Sequence, residues 1–283
     1  MKRNAIVRII IFSLIIVMLL GILLVGLGVG LYSFRTDTQY DAYVLGGGEV
    51  PAREIREIEI EWTSGDITIQ TADIDTITFQ EIGSEDSDPM VYRQNGDKLI
   101  IEYQTPRIHF GFSSSGSKDL VLTVPHDWYC HNLSVDAASA DLFINGLAGD
   151  ELDLNMASGD CNITDCDLVD LDMDCASGEV HYVGTLNTMD CSTASGKVTA
   201  VFKNVPASID FEGASADLEL TLPENAGFTV DMESLSGSFL SEFETDRRDD
   251  HYICGDGACK IDVDGLSGSV TIRKMTRDIP NTR

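Results

Sequence analysis

A small-residue corner of the Ser-Gly type recurs eight times along this chain, each copy followed by a polar residue and then an apolar one. The corner serines are Ser64, Ser139, Ser158, Ser177, Ser195, Ser215, Ser236 and Ser267. From Ser139 to Ser236 they advance by 19, 19, 18, 20 and 21 residues. A sustained period near 20 residues means stacked units, because one such unit cannot bury an apolar face by itself.

Alignment on the serines shows what each unit contributes. Six residues before the serine stand Ile58, Leu133, Leu152, Leu171, Met189, Ile209, Val230 and Ile261, and four before it Ile60, Val135, Leu154, Met173, Cys191, Phe211, Met232 and Val263. Between them, five before the serine, lie Glu59, Asp153, Asp172, Asp190, Asp210, Asp231 and Asp262. Strict apolar–acidic alternation is a strand with one face buried. After the corner the period of two resumes with Ile67, Leu142, Cys161, Val180, Val198, Leu218, Phe239 and Val270 facing inward. Glycine tolerates φ > 0 at the corner, and Ala and Ser let successive units approach closely. The expected fold is all-β, a solenoid-like stack of two-strand repeats of about 20 residues. No stretch after residue 33 carries the 3.6-residue period of a long amphipathic helix.

Seventy-five residues separate Ser64 from Ser139, so the repeat is interrupted once. The insert, 84–130, holds the hairpin signal Asn95-Gly96-Asp97 between two apolar runs and a Ser-Gly-rich loop at 113–118. It is expected to add strands to the same β-domain, since a segment this short makes a poor independent core.

The first 32 residues are a different object. Ile9 to Leu31 carries no charge, and its length spans a bilayer core. Lys2, Arg3 and Arg8 precede it, which puts the N-terminus in the cytoplasm and the β-domain outside. A cleaved signal peptide is the rival reading; the apolar run is longer than a usual signal core, and no Ala-x-Ala site follows. The expected organisation is a cytoplasmic tail (1–8), a transmembrane helix (9–31), a linker (32–49), an extracytoplasmic β-repeat domain (50–275) and a C-terminal tail (276–283). Gly26 and Gly30 have the spacing that lets membrane helices pair, so oligomerisation through the anchor is one expectation.

Of 19 basic residues three precede the span, leaving 16 against 47 acidic ones and an exterior charge near −31. Such a charge argues against nucleic acid and against anionic lipid or wall polymer as partners. It is compatible with cationic peptides, basic protein surfaces or divalent cations. The bland alternative is that the acids keep an exposed β-rod soluble and guard its edges.

The cysteines number seven, an odd count that does not read as a secreted disulfide framework. Cys161, Cys175 and Cys191 fall at core positions, while Cys130 and Cys166 have no assignment. Cys254 and Cys259 flank Gly255-Asp256-Gly257-Ala258, a hairpin-like stretch in which a cross-strand disulfide is geometrically reasonable.

Eight equivalent serines at equivalent corners argue against a nucleophile, which needs one base and one oxyanion hole. The histidines show no metal-ligand spacing, so zinc is unsupported. The acids are the sharper question. Equivalent residues of adjacent rungs lie about 4.8 Å apart. At that spacing each like-charge contact costs on the order of 1 kcal/mol in water, less with salt. The face carrying Asp153, Asp172, Asp174, Asp190, Asp210 and Asp231 is therefore the candidate site for a cationic ligand or for a divalent cation such as calcium. No EF-hand or Gly-Gly-x-Gly-x-Asp pattern is present, and no cofactor is expected otherwise. A β-helical carbohydrate-active enzyme is the remote alternative, but no repeat breaks pattern to set a lone base beside a unique acid pair.

The corner repeat, together with Leu122-Thr-Val-Pro125, Leu222-Pro-Glu-Asn-Ala-Gly-Phe228 and the closing Gly255 to Gly268 segment, resembles the bacterial putative-adhesin β-repeat family, which includes the LiaG-like membrane-anchored proteins. The likeness runs over residues 50–273. It implies a bacterial source, an outward-facing repeat domain and no known enzymatic activity, and some relatives are associated with envelope-stress responses. Ala140 and Ala216 depart from it by replacing the corner glycine. The resulting expectation is a non-catalytic, membrane-anchored surface interaction or scaffold module in the bacterial cell membrane. The alternative is a regulatory or accessory protein of an envelope-stress sensing system.

Overall fold

The computed structural model describes residues 43–83, 89–103, 117–248 and 251–276. The expected membrane span and cytoplasmic tail lie outside these residues. Among the described residues no helix is long and apolar enough to cross a membrane.

In chain order the strands are β1 (Val44–Leu45), β2 (Gly48–Pro51), β3 (Glu57–Ala72), β4 (Thr76–Gly83), β5 (Val91–Asn95), β6 (Lys98–Glu102), β7 (Lys118–Pro125) and β8 (Tyr129–Asn145). They continue as β9 (Ala148–Ser158), β10 (Cys161–Thr185), β11 (Thr188–Phe202), β12 (Ser208–Leu222), β13 (Phe228–Ser241), β14 (Asp246–Arg248), β15 (His251–Cys254) and β16 (Cys259–Lys274). The long strands run straight through their corners and pair in parallel with the next rung on both sides of the bend. Ser64 faces Ser139, Ser139 faces Ser158, Ser177 faces Ser195 and Ser195 faces Ser215, so the serines form a column. The bend at each serine divides every rung into a pre-corner arm and a post-corner arm. Stacking the rungs builds one 16-stranded sheet whose two arms share one core.

That core is filled by the apolar columns. Ile60, Val135, Leu154, Met173, Cys191, Phe211 and Val263 are buried on the pre-corner side, and Ile67, Leu142, Cys161, Val180, Val198, Leu218 and Val270 on the post-corner side. The equivalents on β13, Met232 and Phe239, are partly exposed because no full rung lies beyond them.

The corner geometry explains its composition. Gly159 sits at φ 123 and Gly178 at φ 144, where an L side chain is disfavoured. A Cβ on Gly159 would lie 1.9 Å from the Ala140 carbonyl oxygen of the rung below, so close approach forbids it as firmly as φ does. Ala140 and Ala216 are buried and, unlike these glycines, are not at positive φ, so their corners follow a different backbone path.

Spatial order departs from chain order at the end of the stack. Ser215 of β12 pairs with Ser267 of β16, and Ser267 in turn pairs with Ser236 of β13. The last described strand, β16, is thus inserted between β12 and β13. The β14–β15 hairpin folds over the outer edge of β13, where Phe228–Asp231 pair antiparallel with Cys254–His251.

This order corrects the expected disulfide. Phe228 has Cys254 as partner on one side and Cys259 on the other, so β13 separates the two cysteines. Two strand spacings, about 9.6 Å, exceed what a disulfide can bridge. Both are free thiols, as are the other five, and all seven are buried.

At the opposite end the 84–130 insert closes the stack. The pre-corner arm of β3 is covered by β6, which forms a hairpin with β5. The post-corner arm of β3 is covered by β7, with β4 and β2 beyond it.

Candidate functional site

Alternation sends every second residue of the pre-corner arms outward, and the register turns the sequence motif into columns. Asp153 pairs with Asp172, Asp172 with Asp190, Asp190 with Asp210, Asp210 with Asp262 and Asp262 with Asp231. Six consecutive rungs therefore present aspartate at one position. All the predicted acidic-face residues lie on this one sheet face, and Asp262 joins them between Asp210 and Asp231 because of the rung exchange.

The neighbouring column is interrupted. It runs Glu61, Asp136, Asn155, Asp174, Ser192, Glu212, Asp264 and Glu233, so neutral Asn155 and Ser192 divide it into the shorter acidic runs Glu61–Asp136, Asp174 and Glu212–Asp264–Glu233. The third column is relieved by donors: Asn132 Nδ2 gives a hydrogen bond to Glu151 Oε2 at 2.9 Å, and the Thr188 hydroxyl donates to Asp170. In the aspartate column Asn155 Nδ2 donates to Asp153 at 3.2 Å and His251 lies 3.4 Å from Asp231. The side chains of Asp172, Asp190 and Asp210 make no hydrogen bond or ion pair with any described residue.

The electrostatic consequence shows on several of these carboxyls. Asp153, Asp172 and Asp190 are held above the usual carboxylate range, first by desolvation among their neighbours and then by the adjacent carboxylates. The same causes raise Glu212, Asp262 and Asp264. Where β6 abuts β3, Glu61 is pushed up to about 7 by desolvation, helped by Glu102, Glu59 and Asp136.

The post-corner face treats its acids differently. At three corners the residue two after the serine, Asp141, Asp160 or Asp217, reaches to the next rung. Asp141 Oδ1 accepts from the Asp160 amide at 2.8 Å, and Asp160 Oδ1 from the Glu179 amide at 2.9 Å. Asp217 Oδ1 accepts from both the amide and the hydroxyl of Ser269 at 2.7 Å, which holds its carboxyl below the usual range. Glu219 is likewise lowered by hydrogen bonds from Lys197 and Arg273. The sequence shows the signal for this staircase, an acid recurring after Ser-Gly or Ser-Ala, but not its job, which is to cap an amide left over by the bend.

The corner serines are structural in their contacts. Ser158 Oγ donates to the Ala138 carbonyl at 3.3 Å, and Ser267 Oγ meets Ser215 Oγ at 3.4 Å. Sequence reasoning also missed Lys118, which is completely buried at the insert end. Its ammonium lies 2.8 Å from Glu81 Oε2 and 4.1 Å from the centroid of the Tyr103 ring. Among the described residues no three His, Cys, Asp or Glu side chains converge as a metal-holding group. What the acidic face can do chemically is attract a spread of positive charge along its length.

A model of the family described as Toastrack DUF4097 matches residues 55–180 and again 129–273. No curated protein matches the chain. Among solved structures, one described as a "putative cell adhesion protein" from Clostridium sporogenes is 11% identical, covering 81% of this chain and 100% of its own, with a TM-score of 0.40. One described as a "putative adhesin" from Bacteroides fragilis is 13% identical, covering 82% and 97%, with a TM-score of 0.42. A third, described as a "Putative lipid binding protein" from Parabacteroides distasonis, is 16% identical, covering 83% and 98%, with a TM-score of 0.37.

Proposed function

The chain belongs to the Toastrack DUF4097 family, and on that premise we propose that it is a membrane-anchored, extracytoplasmic interaction module that binds a basic protein surface along its acidic sheet face. The observation that carries this reading is the unbroken column from Asp153 to Asp231, whose central members have no partner among the described residues. A chain under no demand to bind would break such a column as it breaks the neighbouring one at Asn155 and Ser192, with an amide or a hydroxyl. The stored repulsion, on the order of 1 kcal/mol per contact before salt screening, is released when positive charge arrives. A rigid parallel sheet keeps the carboxylates in fixed ranks, so little ordering cost is added on binding. The apolar run at 9–31 supplies the anchor and its flanking charges the orientation, with the repeats outside the bacterial cell membrane.

The test is capture of partners from intact cells with the full-length protein and with an Asp172→Asn/Asp190→Asn/Asp210→Asn variant. The proposal expects basic partners that are retained at low salt, released at high salt and lost with the triple variant. An unchanged partner set would remove the acidic face from the function.

A further inference from the structure

The post-corner face is the other large outer surface of the stack, and away from the corner much of it carries no charge. Across the strands Thr68 pairs with Phe143 and Phe143 with Asn162, and two residues further on Gln70 pairs with Asn145 and Asn145 with Thr164. These two outward columns continue through β7 and β4 on one side, and through the later rung of β10 and β11 on the other. Neither column holds an Asp, Glu, Lys or Arg from β4 to β11. Charge returns at Glu219 on β12, which Lys197 and Arg273 already neutralise. The strip is two side chains wide and roughly 29 Å long, from six strand spacings of about 4.8 Å. The chain carries 47 acidic against 19 basic residues, so this strip departs from the rest of its surface. Val and Thr suit a pleated surface by default, but Asn is a poor strand former and stands here at 145 and 162. Phe143, on the middle strand of the strip, is 41% exposed. Asn145 Nδ2 donates to Thr164 Oγ1 at 2.9 Å and Gln70 Nε2 to Thr123 Oγ1 at 3.3 Å. These bonds hold the amides in ranks, while each amide keeps an oxygen that accepts and each threonine a hydroxyl proton to give.

We propose that this strip binds a neutral polysaccharide, whose extended chain lies across the strands with a sugar ring packed on Phe143. Charge selects the class of occupant. On the corner side the strip is bordered by Asp66, Asp141 and Asp160, which turn away polymers bearing phosphate or carboxylate. A cationic ligand finds a stronger field at the aspartate column of the pre-corner face. An uncharged chain rich in hydroxyls meets no such barrier, and finds amide or hydroxyl partners on successive rungs. The polarised C–H groups on the apolar face of a sugar ring suit the negative face of a phenyl ring. Each hydrogen bond exchanged with water is worth little, so affinity accumulates along the rungs and long oligomers bind better than short ones.

Titration of the full-length protein with cellohexaose and with chitohexaose, in a detergent without a sugar headgroup, tests the assignment. One of the two hexamers or both should bind, about tenfold more tightly than the matching disaccharide and equally at low and high salt. Phe143→Ala is expected to weaken binding about fivefold, and Asn145→Ala/Asn162→Ala to a similar extent, with the Tm little changed because these side chains are exposed. Phe143→Tyr should retain it. The Asp172→Asn/Asp190→Asn/Asp210→Asn variant, altered on the other face, should bind the hexamers as the parent does. Failure of both hexamers to bind would overturn the proposal, as would binding indifferent to Phe143→Ala or binding that salt releases. Self-association of the chain that Phe143→Ala abolishes would overturn it as well, by giving the strip to a second copy.

Discussion

The two outer faces of this stack come from the same repeated unit, yet they hold their acids in opposite ways. On the post-corner face Asp141, Asp160 and Asp217 each accept a backbone amide from the next rung, and Glu219 sits between Lys197 and Arg273. Asp217 and Glu219 are held below the usual carboxylate range by those donors. On the pre-corner face Asp153, Asp172 and Asp190 are held above it, first by desolvation and then by the carboxylates around them. The difference teaches that a like-charge column is not forced by the fold. The same ladder geometry can spend a carboxylate on structure, as at Asp160, or leave it facing outward, as at Asp172.

The severest way to break the comparison is to break the corner that both faces share. Gly159→Ala puts a methyl group into the Ala140 carbonyl at a left-handed φ, and a loss of about 3 kcal/mol or more is expected in denaturant unfolding. Next come single acids of opposite type. Asp160→Ala strands the Glu179 amide and should cost about 1–2 kcal/mol. Asp172→Asn should instead stabilise, by about 1 kcal/mol or less once salt screening is counted. A destabilising Asp172→Asn would mean that the aspartate column is not repulsive.

The smallest expected effect is the pH profile, and its sign follows from Glu61. Its folded carboxyl titrates at about 7, above the ordinary glutamate value of 4.5, so between those limits the folded state binds more protons than the unfolded chain. Stability therefore falls as pH rises through that window, and the Tm should be higher near pH 5 than at pH 8. Further acidification reverses the trend, because Asp217 and Glu219 then lose the donors that hold them low. Glu61→Gln should flatten the upper part of the profile. A Tm that climbs steadily from pH 5 to pH 8 would count against the crowded face.

Much of this was legible in the chain. Position within a rung follows from alternation and from the serine ruler, so the buried columns from Ile60 to Val263 and the acidic face between them could be written down beforehand. The order of the rungs could not. β13 and β16 carry the same apolar columns and the same Leu-Ser-Gly-Ser corner, and any rung can stack on any other through identical backbone groups. That ambiguity also produced the mistaken pairing of Cys254 with Cys259, which are close in sequence but lie on opposite sides of β13. Lys118 was hidden for another reason. A lysine between a Ser-Gly loop and a strand reads as solvated, and its burial depends on Glu81, Tyr103 and Trp62 arriving from distant segments.

The exchange of the last two rungs has a consequence for how the chain is made. β13 leaves the ribosome before β16, and at that moment β12 offers an open edge that matches it corner for corner, Ser215 against Ser236. Native assembly requires that this match be refused or undone, so that the latest strand can take the place. Folding from the N-terminal side can proceed rung by rung as far as β12 and must then wait for β16. A premature β12–β13 pairing would be a well-packed trap, released by local fraying rather than by global unfolding. The arrival of β16, more than any single contact, is what commits this end of the rack to its final order.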